Sequence, residues 1–193
     1  MSAAKYIPAI DGLRAIAVLS VILFHAFPQL IPGGYIGVDI FFVISGYLIT
    51  NIIVTQANAE LFSFKDFYAR RIRRIFPALI IVLVSAYALG WFVMLADEFK
   101  QLGKHIAAGA GFVANWAYWL ESGYFDELHE LKPLLYLWSL GVEEQFYIVW
   151  PVILWAFWRF KVIRLPLIAL LTTCSLVWNV YQSQIDLTHD FYS

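Results

Sequence analysis

Residues 33–50 read GGYIGVDIFFVISGYLIT, an apolar run that begins with two glycines and carries an aspartate, Asp39, at its seventh position. A run of this length is long enough to cross a bilayer as a helix, which needs about 20 residues. A carboxylate inside such a helix costs roughly 2.5–3.5 kcal/mol on insertion scales. We therefore expect Asp39 to face the interior of a helix bundle rather than lipid.

The composition of the whole chain indicates a membrane protein. Of 193 residues, 62% are hydrophobic and 14% are charged, whereas a soluble domain carries about 25% charged residues. The lipid bilayer is thus an expected partner. A formal net charge of −1 argues against nucleic acid as a partner, because nucleic-acid-binding surfaces are basic. With Cys174 as the single cysteine, no internal disulfide and no cysteine-based metal site can form, and we expect no bound metal.

Five segments are apolar and long enough to span a membrane, namely 10–30, 35–55, 75–96, 136–158 and 164–182. We predict an all-α fold, a polytopic transmembrane helical bundle with about five spans plus one interfacial or re-entrant helix. The additional helix is segment 102–120, which carries Lys104, His105 and Asn115. No linker separates a second domain, so residues 1–193 are expected to belong to a single membrane domain.

The distribution of basic residues predicts the orientation, because Lys and Arg concentrate in cytoplasmic loops. One basic cluster precedes the third span and the other precedes the fifth. If both are cytoplasmic, the N-terminus is cytoplasmic, and segment 102–120 does not cross. Residues 97–135 then lie on the outer side.

The first span carries two ionisable residues, Arg14 and His25, eleven positions apart. This spacing places them on one helix face, about 16 Å apart along the axis. A neutral imidazole in the membrane could serve as a general base, and we expect Asp39, at a similar depth on the next helix, to orient it or stabilise its charge. The alternatives are a snorkelling anchor for Arg14, an interfacial polar residue for His25 and a structural hydrogen bond for Asp39. The two helices are expected to approach closely at three glycines, Gly33, Gly34 and Gly37.

The fourth predicted span contains the polar sequence WSLGVEEQFY. Ser139 and Glu143 are four residues apart and share a face, whereas Glu144 points about 100° away, towards another neighbour or the outer water. Together with Gln145, these residues indicate a polar cavity inside the bundle.

Four arginines lie within five positions before the third span, at Arg70, Arg71, Arg73 and Arg74. They could act only as a topology signal. They could also grip a phosphorylated cytoplasmic ligand, because guanidinium groups bind phosphate in a bidentate manner. The remaining histidines, His105, His129 and His189, are interpreted as surface residues.

Four motifs together resemble the membrane acyltransferase-3 family, the bacterial polysaccharide O-acyltransferases. They are IDGLRAIAVLSVILFH, GGYIGVDIFFVISGYLIT, YARRIRRIFPA and PLLYLWSLGVEEQFYIVWP, in the family's order and within residues 6–158. The chain resembles the N-terminal half of the family's membrane module. It departs from the family at Tyr136, where members commonly carry histidine.

The resemblance implies an enzyme that transfers an acyl group, usually acetyl from acetyl-CoA, to a hydroxyl of a cell-surface carbohydrate or lipid-linked glycan, such as lipopolysaccharide. It implies a bacterial inner-membrane location and a catalytic role for His25, supported by Arg14. The arginine pairs Arg70/Arg73 or Arg71/Arg74 would hold the phosphates of the acyl-CoA.

Asp39 and Glu143 complete the predicted catalytic group, and Ser139 and Gln145 are predicted to bind substrate. Direct transfer and a transient acyl-His25 are both compatible with the sequence, and direct transfer is preferred. A truncated non-catalytic fragment and a transporter that uses its intramembrane His, Asp and Glu residues are the alternatives.

Overall fold

The computed structural model describes residues 7–121, 132–157 and 164–185. All regular structure in these ranges is helical, which confirms the predicted all-α fold. The helices are α1 (Pro8–Ala26), α2 (Ile36–Asn58), α3 (Phe64–Val93), α4 (Ala96–Ala110), α5 (Ala114–Glu121), α6 (Leu137–Ala156) and α7 (Arg164–Ile185). The chain divides into two compact units, Met1–Phe62 and Ser63–Ser193.

The first unit is an antiparallel hairpin of α1 and α2. Two glycines allow the helices to meet: a Cβ on Gly34 would collide with the carbonyl oxygen of Ser20, and one on Gly37 with that of Ala17. Small residues at a membrane helix interface permit this approach of one backbone to the other. Gly33 does not contribute, because the nearest atom to its Cβ position is 3.9 Å away. The prediction of glycine-mediated packing is confirmed for two of the three glycines.

In the second unit, α3 begins much earlier than the predicted third span. Ser63 is its N-cap and accepts a hydrogen bond of 3.3 Å from the backbone N–H of Asp66, which satisfies one of the N–H groups left unpaired at a helix start. The arginine cluster therefore lies within α3, two turns from its start, and not in a loop before it. Because the four arginines lie within a helix, their positions around the helix axis are fixed.

The predicted helix at 102–120 is two helices, α4 and α5, joined by a short turn. α4 runs back along α3: a Cβ on Gly109 would touch Leu83, and the rings of Phe112 and Phe76 lie 5.7 Å apart. Phe112, in the turn, has a left-handed backbone conformation with φ of 56°, which ends the helix sharply. The segment is thus a helical hairpin folded against α3, and the prediction of a single helix is wrong.

α6 lies antiparallel to α3. The rings of Phe64 and Trp155 are 5.8 Å apart, and the Tyr68 hydroxyl donates a hydrogen bond of 2.9 Å to the carbonyl oxygen of Ile148. The start of α3 therefore lies beside the end of α6. The end of α3 and the start of α6 therefore lie on the same side. This is the arrangement expected if α4 and α5 together do not cross the membrane.

Three helices in the described ranges are long and apolar enough to cross a membrane, namely α1, α2 and α3. α6 occupies the predicted fourth span but carries two glutamates and a glutamine, and α7 includes the apolar stretch Ala169–Trp178. The protein is a helical membrane bundle, and the count of five crossings stays a prediction.

Candidate active site

The ring of His25 is oriented by the backbone of its own helix. Nδ1 lies 2.7 Å from the carbonyl oxygen of Val21. A carbonyl oxygen can only accept, so Nδ1 carries the hydrogen, and in the neutral ring Nε2 has the basic lone pair. The side chain is exposed. This tautomer is the one that a general base at Nε2 requires.

Asp39 and His25 do not lie at the same depth in the helix pair. Along α2, Gly37 packs beside Ala17, and Phe41 lies 5.8 Å below the guanidinium of Arg14. Asp39, between them, is therefore level with Ala15, near the middle of α1 and roughly 15 Å along the axis from His25. The expectation of a similar depth is wrong, and the Val21 carbonyl provides the orientation that was expected from Asp39. A catalytic role for Asp39 stays a prediction.

The four arginines of α3 separate into two groups. Arg71 is half-buried, and its guanidinium lies 4.6 Å from the centre of the Tyr147 ring, on α6. This distance permits a cation–π interaction. Arg70, Arg73 and Arg74 are exposed at positions i, i+3 and i+4, which share one face of the helix.

Tyr147 joins Arg71 to the acidic pair of α6, because its hydroxyl donates a hydrogen bond to the carboxylate of Glu143. Glu144 is buried, with 6% of its surface exposed, and it interacts electrostatically with Arg71 and Arg74. Its Oε1 has no hydrogen-bond partner within the described ranges. The sequence predicted that Glu144 points towards another neighbour or the outer water, and the structure buries it more deeply than Glu143.

The other two polar residues predicted on α6 bind backbone groups. The Ser139 hydroxyl donates to the carbonyl oxygen of Tyr136 at 3.1 Å. The Gln145 amide donates to the carbonyl oxygen of Phe112 at 2.8 Å and to Oδ1 of Asn115 at 2.9 Å. Gln145 therefore holds the turn of the α4–α5 hairpin. Substrate contacts by Ser139 and Gln145 stay predictions.

A second polar cluster was missed by the sequence analysis. His105, interpreted as a surface residue, has 2% of its surface exposed, and its Nε2 lies 2.8 Å from Oε2 of Glu121. Lys132, also buried, places its Nζ 3.6 Å from the same oxygen. Leu102, His105 and Ala108 are all buried on α4. Their spacing places them on one helix face, and this pattern could have indicated that His105 is buried. His129 and His189 lie outside the described residues.

The described residues contain no group of three or more His, Cys, Asp and Glu side chains that could hold a metal. The exposed arginines of α3 present several guanidinium donors on one helix face, an arrangement that is compatible with a phosphate-bearing ligand. The described residues thus provide an oriented imidazole in the first unit. In the second unit they provide a cluster of arginines beside a buried carboxylate, Glu144, and a partly buried one, Glu143.

These features define a class: a helical membrane protein with titratable groups held inside its bundle. A family model described as "Acyltransferase domain" matches residues 7–193, and the chain belongs to this family, acyltransferase-3. The resemblance inferred from the four motifs is thereby confirmed.

Two relatives illustrate the similarity. The peptidoglycan O-acetyltransferase OatA of Listeria monocytogenes is 44% identical over 155 residues, 79% of this chain and 25% of that protein. YrhL of Bacillus subtilis, which is named a putative peptidoglycan O-acetyltransferase, is 44% identical over 153 residues, 78% of this chain and 24% of that protein. The chain thus spans about a quarter of the length of these relatives. No solved structure matches it.

Proposed function

We propose that this chain forms part of a membrane enzyme that transfers an acetyl group from acetyl-CoA to a carbohydrate hydroxyl. Two relatives carry names that specify peptidoglycan O-acetylation, which supports a cell-wall glycan as acceptor rather than lipopolysaccharide. The enzyme would lie in the bacterial cytoplasmic (inner) membrane, with its N-terminus in the cytoplasm.

The observation that carries the proposal is the contact between His25 Nδ1 and the Val21 carbonyl oxygen, at 2.7 Å. A sugar hydroxyl is a weak nucleophile at neutral pH and must lose its proton as it attacks. Nε2 of His25 would accept that proton while the hydroxyl oxygen bonds to the thioester carbonyl carbon. The carbon–sulfur bond then breaks, and the CoA thiolate takes up a proton. A positioned base contributes typically 10²–10⁴-fold to such a step.

The donor would be held at the start of α3. The exposed side chains of Arg70 and Arg73 would bind the phosphates of the acyl-CoA through charge-assisted hydrogen bonds. Arg71 would act differently, because its guanidinium is stacked on Tyr147. Its contacts favour a role in positioning Glu143 and Glu144 over direct phosphate binding.

The test is transfer of labelled acetyl from acetyl-CoA to peptidoglycan by the complete protein in membrane vesicles. His25→Ala should lower the rate by 10²-fold or more, with the folded protein still present in the membrane. Ser20→Ala is the matched control, because the Ser20 hydroxyl also bonds its own helix, at the carbonyl oxygen of Ile16. Transfer that persists in His25→Ala would refute His25 as the base. Solute flux coupled to protons, without dependence on acetyl-CoA, would instead establish a transporter.

A further inference from the structure

The cluster of His105, Glu121 and Lys132 lies at the open end of the α4–α5 hairpin, away from the turn at Phe112. His105 comes from α4, Glu121 ends α5, and Lys132 lies shortly before α6. His105 and Lys132 are buried, and removing ionisable groups from water is unfavourable unless they are paired. Glu121, whose side chain is 25% exposed, pairs with both of them. The proposed acetyl transfer uses none of these groups.

Two members of the cluster, His105 and Lys132, line a cavity of about 220 Å³. Four polar side chains face this cavity, and the rest of its lining is apolar. The lining residues are Val93, Met94, Glu98, Gln101, Leu102, His105, Lys132 and Pro133. Small-molecule sites commonly combine apolar walls with a few convergent polar groups, so the lining has the composition of a binding site.

The polar groups of the cavity include both donors and acceptors. Nε2 of His105 is occupied by Glu121, which leaves Nδ1 as the nitrogen that can meet a ligand. The Lys132 ammonium is a donor, and the Gln101 amide can both donate and accept. One carboxylate oxygen of Glu98 accepts from the backbone N–H of Leu95 at 3.0 Å, and its second oxygen remains available as an acceptor.

The charges of the cavity favour an uncharged ligand. The positive charge of Lys132 is balanced by Glu121, 3.6 Å away, and Glu98 adds a negative charge at the rim. These carboxylates would repel an anion, and the ammonium of Lys132 would repel a cation. A ligand whose hydroxyls both donate and accept matches the groups present.

We propose that this cavity binds one sugar ring of the acceptor glycan. Its volume is below the range of about 300–1,000 Å³ typical of drug-sized ligands, which suits a single ring rather than an oligosaccharide. The apolar residues Val93, Leu102 and Pro133 provide a wall for the C–H face of the ring. The identity of the ligand rests on the proposed function, whereas the location of the site rests on the cavity alone.

The experiment measures binding of a soluble, uncross-linked peptidoglycan disaccharide to the complete protein in nanodiscs, by isothermal titration calorimetry. Gln101→Leu should weaken binding about tenfold through loss of a hydrogen bond, and Gln101→Trp should abolish it by filling the cavity. Lys104→Leu, on the same helix and outside the lining, should bind like the wild type. Gln101 is preferred to His105 for substitution because it takes no part in the buried ion pairs.

Unchanged affinity in both Gln101 variants, or no binding by the wild-type protein, would overturn the proposal. Competition by inorganic phosphate would overturn the assignment of an uncharged ligand. Binding that follows these expectations in a protein without acetyl transferase activity would refute the proposed function and leave the sugar site intact. Failure of one can therefore be distinguished from failure of the other.

Discussion

The guanidinium of Arg71 lies 4.6 Å from the centre of the Tyr147 ring, whose hydroxyl binds Glu143. A residue of the basic cluster on α3 is thereby linked to the acidic pair on α6. Because Arg71 is engaged in this contact, we expect it to differ in function from the other arginines of the cluster.

The first prediction separates the arginines by function. Arg70→Ala/Arg73→Ala should weaken acetyl-CoA binding at least tenfold, since each charge-assisted hydrogen bond contributes about 1.5–3 kcal/mol. The measurement is equilibrium binding of acetyl-CoA to the complete protein. Lys65→Ala, which removes another exposed cation from the start of α3, is the control and should bind normally. Unchanged affinity in the double variant would leave these arginines with a role in topology alone.

The second prediction concerns Tyr147. Tyr147→Phe keeps the ring beneath Arg71 and removes the hydroxyl that donates to Glu143. Loss of a hydrogen bond to a charged group is worth about 1.5–3 kcal/mol, so acetyl transfer should fall roughly 10- to 100-fold if Glu143 acts in the reaction. Tyr136→Phe, at an exposed tyrosine just before α6, should retain activity. A Tyr147→Phe variant with normal rate would show that the contact is dispensable for transfer.

The third prediction tests the packing of the α4–α5 hairpin against α6. A Cβ on Gly141 would lie 3.2 Å from both the carbonyl oxygen of Phe112 and Oδ1 of Asn115. Gly141→Ala should therefore destabilise the protein by about 1–3 kcal/mol. Gly103→Ala is the control, because its Cβ would meet no atom within 4 Å and alanine favours a helix interior by about 0.5–1 kcal/mol. The Tm, measured by circular dichroism, should fall in Gly141→Ala and rise in Gly103→Ala.

The fourth prediction tests the hairpin of α1 and α2. Gly34→Ala and Gly37→Ala should force the helices apart, because each new methyl group would collide with a backbone carbonyl of α1. Gly33→Ala should have little effect, since its nearest neighbour is 3.9 Å away. A cysteine pair placed across α1 and α2 would report the separation by its rate of disulfide formation. Equal rates in all three variants would contradict the close contact.

The fifth prediction concerns orientation in the membrane. In a Cys174→Ser background, cysteine at Lys65 should be labelled from the cytoplasm and cysteine at Asp97 from the outside. The two exposed positions lie near opposite ends of α3, and the basic cluster favours the cytoplasm for the first. Labelling of both from one side would show that α3 does not cross, and the reversed pattern would invert the predicted topology.

The positions of most helices could be predicted because apolar runs reveal membrane helices directly. The first two predicted spans and the last two agree with α1, α2, α6 and α7 to within a few residues. The third span was placed too late because the arginine-rich turns of α3 are helical but polar, so hydropathy does not detect them. The break at Phe112 was not visible because its φ of 56° is stabilised by contacts from α6.

The candidate site was predictable in its residue types but not in its contacts. Arg71 and Glu143 were both identified, yet their link through Tyr147 depends on how α3 and α6 pack. The ion pairs of Glu121 with His105, sixteen positions earlier in the chain, and with Lys132 depend on how the hairpin folds. Such long-range pairs produce no local pattern in the sequence.

The hydrogen bond from Gln145 to the carbonyl oxygen of Phe112 has a consequence for biogenesis. The ribosome completes the α4–α5 hairpin before it synthesises α6, so the Phe112 carbonyl at first has no partner from α6. A carbonyl group without a hydrogen bond is strongly disfavoured in the hydrocarbon interior. The nascent hairpin should therefore remain in contact with water, and it should pack against α3 only once α6 has been inserted.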